Sequence, residues 1–166
     1  MRYTQSETIN QPLIKMTLTE YIRKRNGVPM GSSKSLRNNL YRSFGAKNFS
    51  TFWNYWNPIF GYYLGKYIFK PLKKKLPIAV ALLLTFIFCG LIHDAVTTIY
   101  RGKISLFFTI WFSFMGVAVL ITRYLKHNFN RQKWIYRASV NLSIIWLCFI
   151  ITFYLTKILI WSSYPN

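Results

Sequence analysis

Acidic residues are nearly missing from this sequence: three Asp or Glu stand against 22 Lys or Arg among 166 residues, a formal net charge of +19. Ordinary soluble domains mix both signs over their surface, so this balance, in a chain that is 52% hydrophobic, excludes that class. Cysteine and histidine are scarce too. Cys89 and Cys148 lie in separate apolar runs with no metal or redox spacing, which reads as two buried thiols. Two histidines cannot complete a zinc set with the ligands on offer, so no metal site is expected. No P-loop, Rossmann glycine pattern, internal repeat or low-complexity tract is present. An apolar segment of about 7–15 residues near the N-terminus is lacking, and no signal peptide is expected.

What the chain does have is aromatic residues, 19% of the total, and long apolar runs kept apart from the bases. Residues 77–99 and 104–122 carry no Lys or Arg, while the chain before residue 76 carries fourteen. Membrane spans flanked by basic segments give this segregation. Arg and aromatic residues interleave between Tyr21 and Trp56, as in some nucleic-acid binders. A nucleic-acid partner is nevertheless excluded, because such a protein has no use for three runs long enough to cross a bilayer at about 20 residues each. The expectation is an all-α polytopic integral membrane protein in the lipid bilayer. Its basic N-terminal segment covers 1–48 and its membrane domain 49–166, with an embedded aromatic stretch at 49–75 and spans at about 77–100, 104–124 and 135–161. Lys and Arg number fourteen before the first span, two in the next loop and five in the one after, which places the N-terminus in the cytoplasm.

Within the basic segment, 1–12 reads as a partly disordered tail, and Thr17–Arg25 and Leu36–Phe44 as short helices lying on the membrane. The stretch 49–70 is rich in aromatics but interrupted by Asn54, Asn57, Pro58, Gly61, Gly65 and Lys66, so it suits a membrane edge packed against protein better than a lipid-facing span. Gly61 and Gly65 form a G-x-x-x-G step that would admit another helix. Asn57 precedes Pro58 and has two readings: the N-cap of a helix beginning at the proline, or a polar group in a site.

His93 sits some 16 residues into the first span, and an ionisable residue at membrane depth is a functional hypothesis by default. Desolvation favours its neutral form, which can accept a proton, and Gly90 one turn back leaves room beside the ring. A histidine hydrogen-bonded in a helix contact is the alternative. Asp94 follows it directly and points about 100° away on a helix, which suits a bond to another helix better than orienting the imidazole. In the second run Ser105, Thr109, Ser113 and Gly116 recur at helical spacing as a packing stripe.

Phe52-Trp53-x-x-Trp56-Asn57-Pro58, Lys70-Pro71-Leu72 and Gly90-Leu91-Ile92-His93-Asp94, in that order, resemble the signature region of the membrane-bound O-acyltransferase (MBOAT) family. Arg42-Ser43-Phe44-Gly45-Ala46 is similar to its small bacterial members, and the resemblance covers roughly 36–125. It implies acyl transfer from a thioester, acyl-CoA as co-substrate with no bound cofactor, to a hydroxyl acceptor, in a bacterial cytoplasmic membrane. It implies His93 as the catalytic base and Asn57 as its assistant, with Trp53, Asn54, Trp56 and Asp94 binding substrate. Family members generally surround a reaction chamber with many more spans. That departure implies a homo-oligomer or a membrane partner subunit, or else a non-catalytic scaffold that keeps the motif.

Overall fold

A computed structural model describes residues 16–162, and every regular element among them is helical. The tail expected at 1–12 lies outside the described residues. Helix α1, Leu18–Asn26, opens on a reciprocal cap: the Thr17 side chain accepts the Glu20 N–H, and the Glu20 carboxylate accepts the Thr17 N–H at 2.9 Å. It stops at Gly27, whose φ of 81° an L side chain rarely adopts. Helix α2 is Ser35–Phe44 and α3 is Phe49–Tyr55, the latter started by Asn48, whose side chain accepts the Thr51 N–H at 2.8 Å. Helix α4, Pro58–Leu64, runs through a widened π turn at Gly65–Phe69 into α5, Lys70–Lys75, without leaving the helical region.

Three helices are long and apolar enough to cross a membrane: α6, Ile78–Arg101; α7, Phe107–Tyr124; and α8, Trp134–Ser162. At 1.5 Å per residue α6 and α7 span about 36 and 27 Å, against a hydrocarbon core of about 30 Å. The protein is therefore an all-α polytopic membrane protein. Helix α7 begins at Phe107 rather than near Ile104, because the Asp94 carboxylate on α6 receives the first amides of the helix and fixes where it starts.

Helices α6 and α7 form an antiparallel hairpin, and α8 packs on the α7 side of it. Apolar burial does not drive helices together inside lipid, so the hairpin depends on close approach. Gly116 of α7 faces Leu83 and Phe86, and Gly90 of α6 faces the backbone of Phe108 and Thr109. The stripe noted in the sequence thus meets α6 at Thr109 and Gly116. Gly61 and Gly65 behave otherwise: a Cβ at Gly61 would meet only the Tyr21 hydroxyl at 3.9 Å, and one at Gly65 would meet nothing within 4 Å. Among the described residues only the Tyr21 side chain of α1 comes near Gly61, and both glycines line a cleft.

The core is organised around α3. Phe49 and Phe52, each 1% exposed, pack with Cys89 of α6, Phe112, Met115 and Val119 of α7, and Cys148 of α8. Asn141 of α8 fixes the turn leading into α3, its amide nitrogen donating to the carbonyls of Phe44 and Ala46 at 2.9 and 3.0 Å. The α7–α8 loop is tied to the same region by the Phe129 N–H to Lys47 carbonyl bond at 2.8 Å, and Trp134 donates to the Tyr41 carbonyl. The short aromatic helix is thereby held against all three long ones.

Candidate active site

One cleft of about 1220 Å³ runs between α3, α4–α5, α6 and α7, and His93, Asn57, Trp53, Asn54 and Trp56 all line it. Along α6 its wall is Leu82, Phe86, Cys89 and His93, residues on one helical face that covers about 16 Å at 1.5 Å per residue. Lys73 and Lys74 lie toward the start of α6, with Arg123 from the end of the antiparallel α7; His93 lies toward the other end.

His93 is half-buried among aromatic rings: stacked on Phe112 with centroids 5.0 Å apart, tilted to Phe108 at 5.7 Å and edge-on to Phe60 at 5.9 Å. Its Nδ1 lies 2.8 Å from the Cys89 carbonyl oxygen one turn back. A carbonyl only accepts, so in the neutral ring the proton sits on Nδ1 and Nε2 keeps its lone pair. No hydrogen bond to Nε2 is found among the described residues.

Asn57 has φ 41°, left-handed backbone that asparagine tolerates better than most residues, and its Oδ1 accepts the Phe60 N–H at 3.2 Å. The capping reading therefore describes its oxygen. Capping also orients the amide, because once Oδ1 is committed, Nδ2 is the end with donors to offer. Phe60, whose N–H makes that cap, is the ring set edge-on to His93. One short element thus connects the two residues.

Trp53 is wedged edge-on against Phe86 at 5.1 Å and tilted to Phe112 at 5.8 Å, and its buried indole nitrogen has no partner among the described residues. Trp56 stacks on Phe52 at 5.4 Å through one face and is 36% exposed. Asn54 is exposed.

Asp94 makes the bond to another helix that its direction on α6 predicted, and it stands away from the cleft residues with which the family resemblance grouped it. It is 3% exposed and does not line the cleft. Its Oδ1 accepts the Phe108 N–H at 3.0 Å, and its Oδ2 accepts the Thr109 N–H at 2.7 Å and the Thr109 hydroxyl at 2.6 Å. Turned about 100° from His93 along the helix, the carboxylate faces α7 and caps it across the hairpin. Gly90 is corrected likewise: the room it leaves is filled by the α7 backbone, since a Cβ there would lie 2.5 Å from Thr109 Cα.

The charge of the cleft is one-sided. Arg25, Lys66, Lys70, Lys73, Lys74 and Arg123 line it, with no acid among the lining residues. Glu20 and Asp94, the acids among the described residues, are both committed to helix N-termini. Burdening the cleft with so many bases attracts anions and repels cations. Sequence reasoning missed Phe60, Phe112 and Ser50 as cleft residues; in an apolar or aromatic run, nothing distinguishes the ring that flanks a base from one that faces lipid. The described residues contain no group of three or more His, Cys, Asp or Glu able to hold a metal ion.

No curated protein and no solved structure matches the chain. A family model does: that of MBOAT, the membrane-bound O-acyltransferase family, matches residues 25–161, a range that contains the whole cleft except Tyr21. By that match over most of its length, the chain belongs to the membrane-bound O-acyltransferase family.

Proposed function

We propose that this integral membrane protein transfers an acyl group from an acyl thioester, acyl-CoA in the first instance, to a hydroxyl acceptor, with His93 as general base. The observation that carries this reading is the Nδ1 contact with the Cys89 carbonyl, which leaves Nε2 as a proton acceptor in the cleft that Asn57 also lines. In the reaction, Nε2 takes the acceptor's proton as its oxygen attacks the thioester carbonyl carbon. A C–O bond forms and the C–S bond breaks. The imidazolium then returns the proton from Nε2 to the departing thiolate, giving an ester, a free thiol and neutral histidine. Asn57 Nδ2 donates to the carbonyl oxygen as charge develops there.

The bases at the far end of the cleft suit the phosphates of a CoA donor, and the apolar wall along α6 suits its acyl group. The excess of Lys and Arg before the first span supports a cytoplasmic N-terminus and, with it, this cationic end on the side of the membrane where such donors are made. Exposed Leu36, Leu40 and Tyr41 on α2 would lie against the bilayer surface there.

Thioester consumption by protein in nanodiscs tests the reading. His93→Ala should lower the rate by about 10²–10⁴, the usual contribution of a general base. Asn57→Asp keeps the capping oxygen and removes the amide donors, and should cost about 10²–10³ if Nδ2 serves the oxyanion. If His93→Ala transfers acyl groups as fast as the wild type, the histidine is a packing residue and not the base; if the wild type itself consumes no thioester, the protein is a membrane scaffold that keeps the motif.

A further inference from the structure

A neutral base that takes a proton becomes a cation, and this cleft is poorly suited to one more. Arg25, Lys66, Lys70, Lys73, Lys74 and Arg123 line it and no acid does. Charge of the same sign disfavours imidazolium, and so does the partial burial of His93. A carboxylate beside the ring would offset both effects. Asp94 is the one acid on α6, and both of its oxygens are taken by the start of α7. What does surround the imidazole is aromatic. Phe112 lies stacked on it at 5.0 Å, Phe108 tilted at 5.7 Å and Phe60 edge-on at 5.9 Å. All three centroids fall within the reach of about 6 Å over which a ring quadrupole attracts a cation.

The fold holds these rings in place through polar contacts already described. Phe108 and Phe112 are one turn apart on α7 and share a face. Where α7 starts is set by the Asp94 carboxylate, which accepts the Phe108 and Thr109 amides, so the neighbour of His93 in sequence fixes two rings against it. Phe60 is brought by the Asn57 cap that accepts its N–H. Phe112 is 8% exposed and backed by Trp53 and Trp111 at 5.8 and 6.0 Å, which leaves it little room to turn away. Resting on the acyltransferase reading above, we infer that Phe112, with Phe108 and Phe60, stabilises the imidazolium that His93 forms while Nε2 holds the acceptor's proton, in the place a carboxylate would take. The attraction is small for the neutral ring and grows as the proton arrives, so it lowers the barrier instead of only tightening the ground state. The charged ring also strengthens its Nδ1–H bond to the Cys89 carbonyl. Phe112 acts through His93, as a positioning residue.

Fluorine withdraws electron density from a benzene ring and changes its size little, so fluorinated phenylalanines separate attraction for a cation from packing. Monofluoro-, difluoro- and trifluorophenylalanine are incorporated in place of Phe112, and single-turnover loss of octanoyl-CoA is timed in nanodiscs with 1-octylglycerol, 1-octanol or octyl β-glucoside as hydroxyl acceptor. The rate should fall stepwise with each fluorine and reach about five- to thirtyfold below wild type for the trifluoro ring, the fold-change that about 1–2 kcal/mol of cation–π attraction corresponds to. The same series at Phe108, whose centroid is farther from His93, should give a shallower decline. At Phe149, which packs on Phe107 and Trp111 and does not line the cleft, it should give none. The monofluoro and difluoro rings keep the trend readable if the trifluoro variant fails to fold. Equal rates across the Phe112 series, with His93→Ala still inactive, would show the rings to be packing alone; that overturns the inference and leaves the acyltransferase reading standing. A decline at Phe149 as steep as at Phe112 overturns it as well. Absence of His93-dependent thioester loss from the wild type with every acceptor overturns both.

Discussion

Removing the Asp94 carboxylate is the sharpest perturbation this fold offers. Asp94→Ala strips three hydrogen bonds from the start of α7, two of them to backbone amides that no helical carbonyl can reach. Losing an N-cap costs about 0.5–2 kcal/mol, and each hydrogen bond to a charged group is worth about 1.5–3 kcal/mol. Phe108 and Thr109 are only half-buried, so water recovers part of that loss, and about 3 kcal/mol is expected. At about 2–4 °C per kcal/mol for a chain of this size, Tm should fall by about 6–12 °C. Thermal unfolding of detergent-purified protein measures the shift, and hydrogen exchange across residues 105–112 shows whether protection is lost first at the α7 start. Thr109→Val removes one bond of the three and should cost about 1 kcal/mol, and the double variant should lose less than the sum because both act on the same contact. A Tm change under about 2 °C for Asp94→Ala, less than 1 kcal/mol by the same conversion, would refute the cap. Asp94 would then be free for the substrate role first expected of it.

The other predictions concern separate parts of the structure. Gly90→Ala places a Cβ 2.5 Å from Thr109 Cα and 2.7 Å from the Phe108 oxygen, backbone atoms that cannot turn aside. It should destabilise by about 1–3 kcal/mol despite alanine's better helix propensity, whereas Gly65→Ala, with nothing within 4 Å, should be neutral or stabilising in the same assay. Glu20 is held below the usual carboxylate range by its bond to the Thr17 backbone N–H and, next, by the Thr17 side chain. A depressed folded-state pKa gives α1 a contribution that is present above the ordinary glutamate value and lost as pH falls through the folded one. Protection of the α1 amides, taken relative to their intrinsic exchange rate at each pH, should therefore fall on acidification below about pH 4, and Glu20→Gln, which keeps the capping box, should remove that dependence. Lys73→Gln with Lys74→Gln should raise KM for CoA thioesters, less so in high salt, while leaving KM for an N-acetylcysteamine thioester in place. Equal effects on both donors would instead mark these lysines as a collar for lipid headgroups.

Much of this protein was determined along the chain. Segregation of 22 bases from the apolar runs and the run lengths specify three membrane helices, since bilayer thickness and helix rise are fixed quantities. Caps at Thr17, Asn48 and Asn57 are local too, each formed with a backbone amide three residues on. The order of the aromatic-asparagine and histidine motifs was enough to point to the family. What remained for the tertiary structure to decide was which groups meet. Asp94 and His93 are neighbours in sequence, and only the position of α7 determined that the carboxylate is consumed by a helix start while the imidazole faces a cleft. Gly90 and Gly61 look equally permissive as letters, yet one admits a backbone and the other leaves space, because close approach depends on the partner that arrives. The site itself joins α1, α3, α4–α5, α6 and α7, and such convergence is set by packing between segments distant in sequence, for which a single chain carries no local signal.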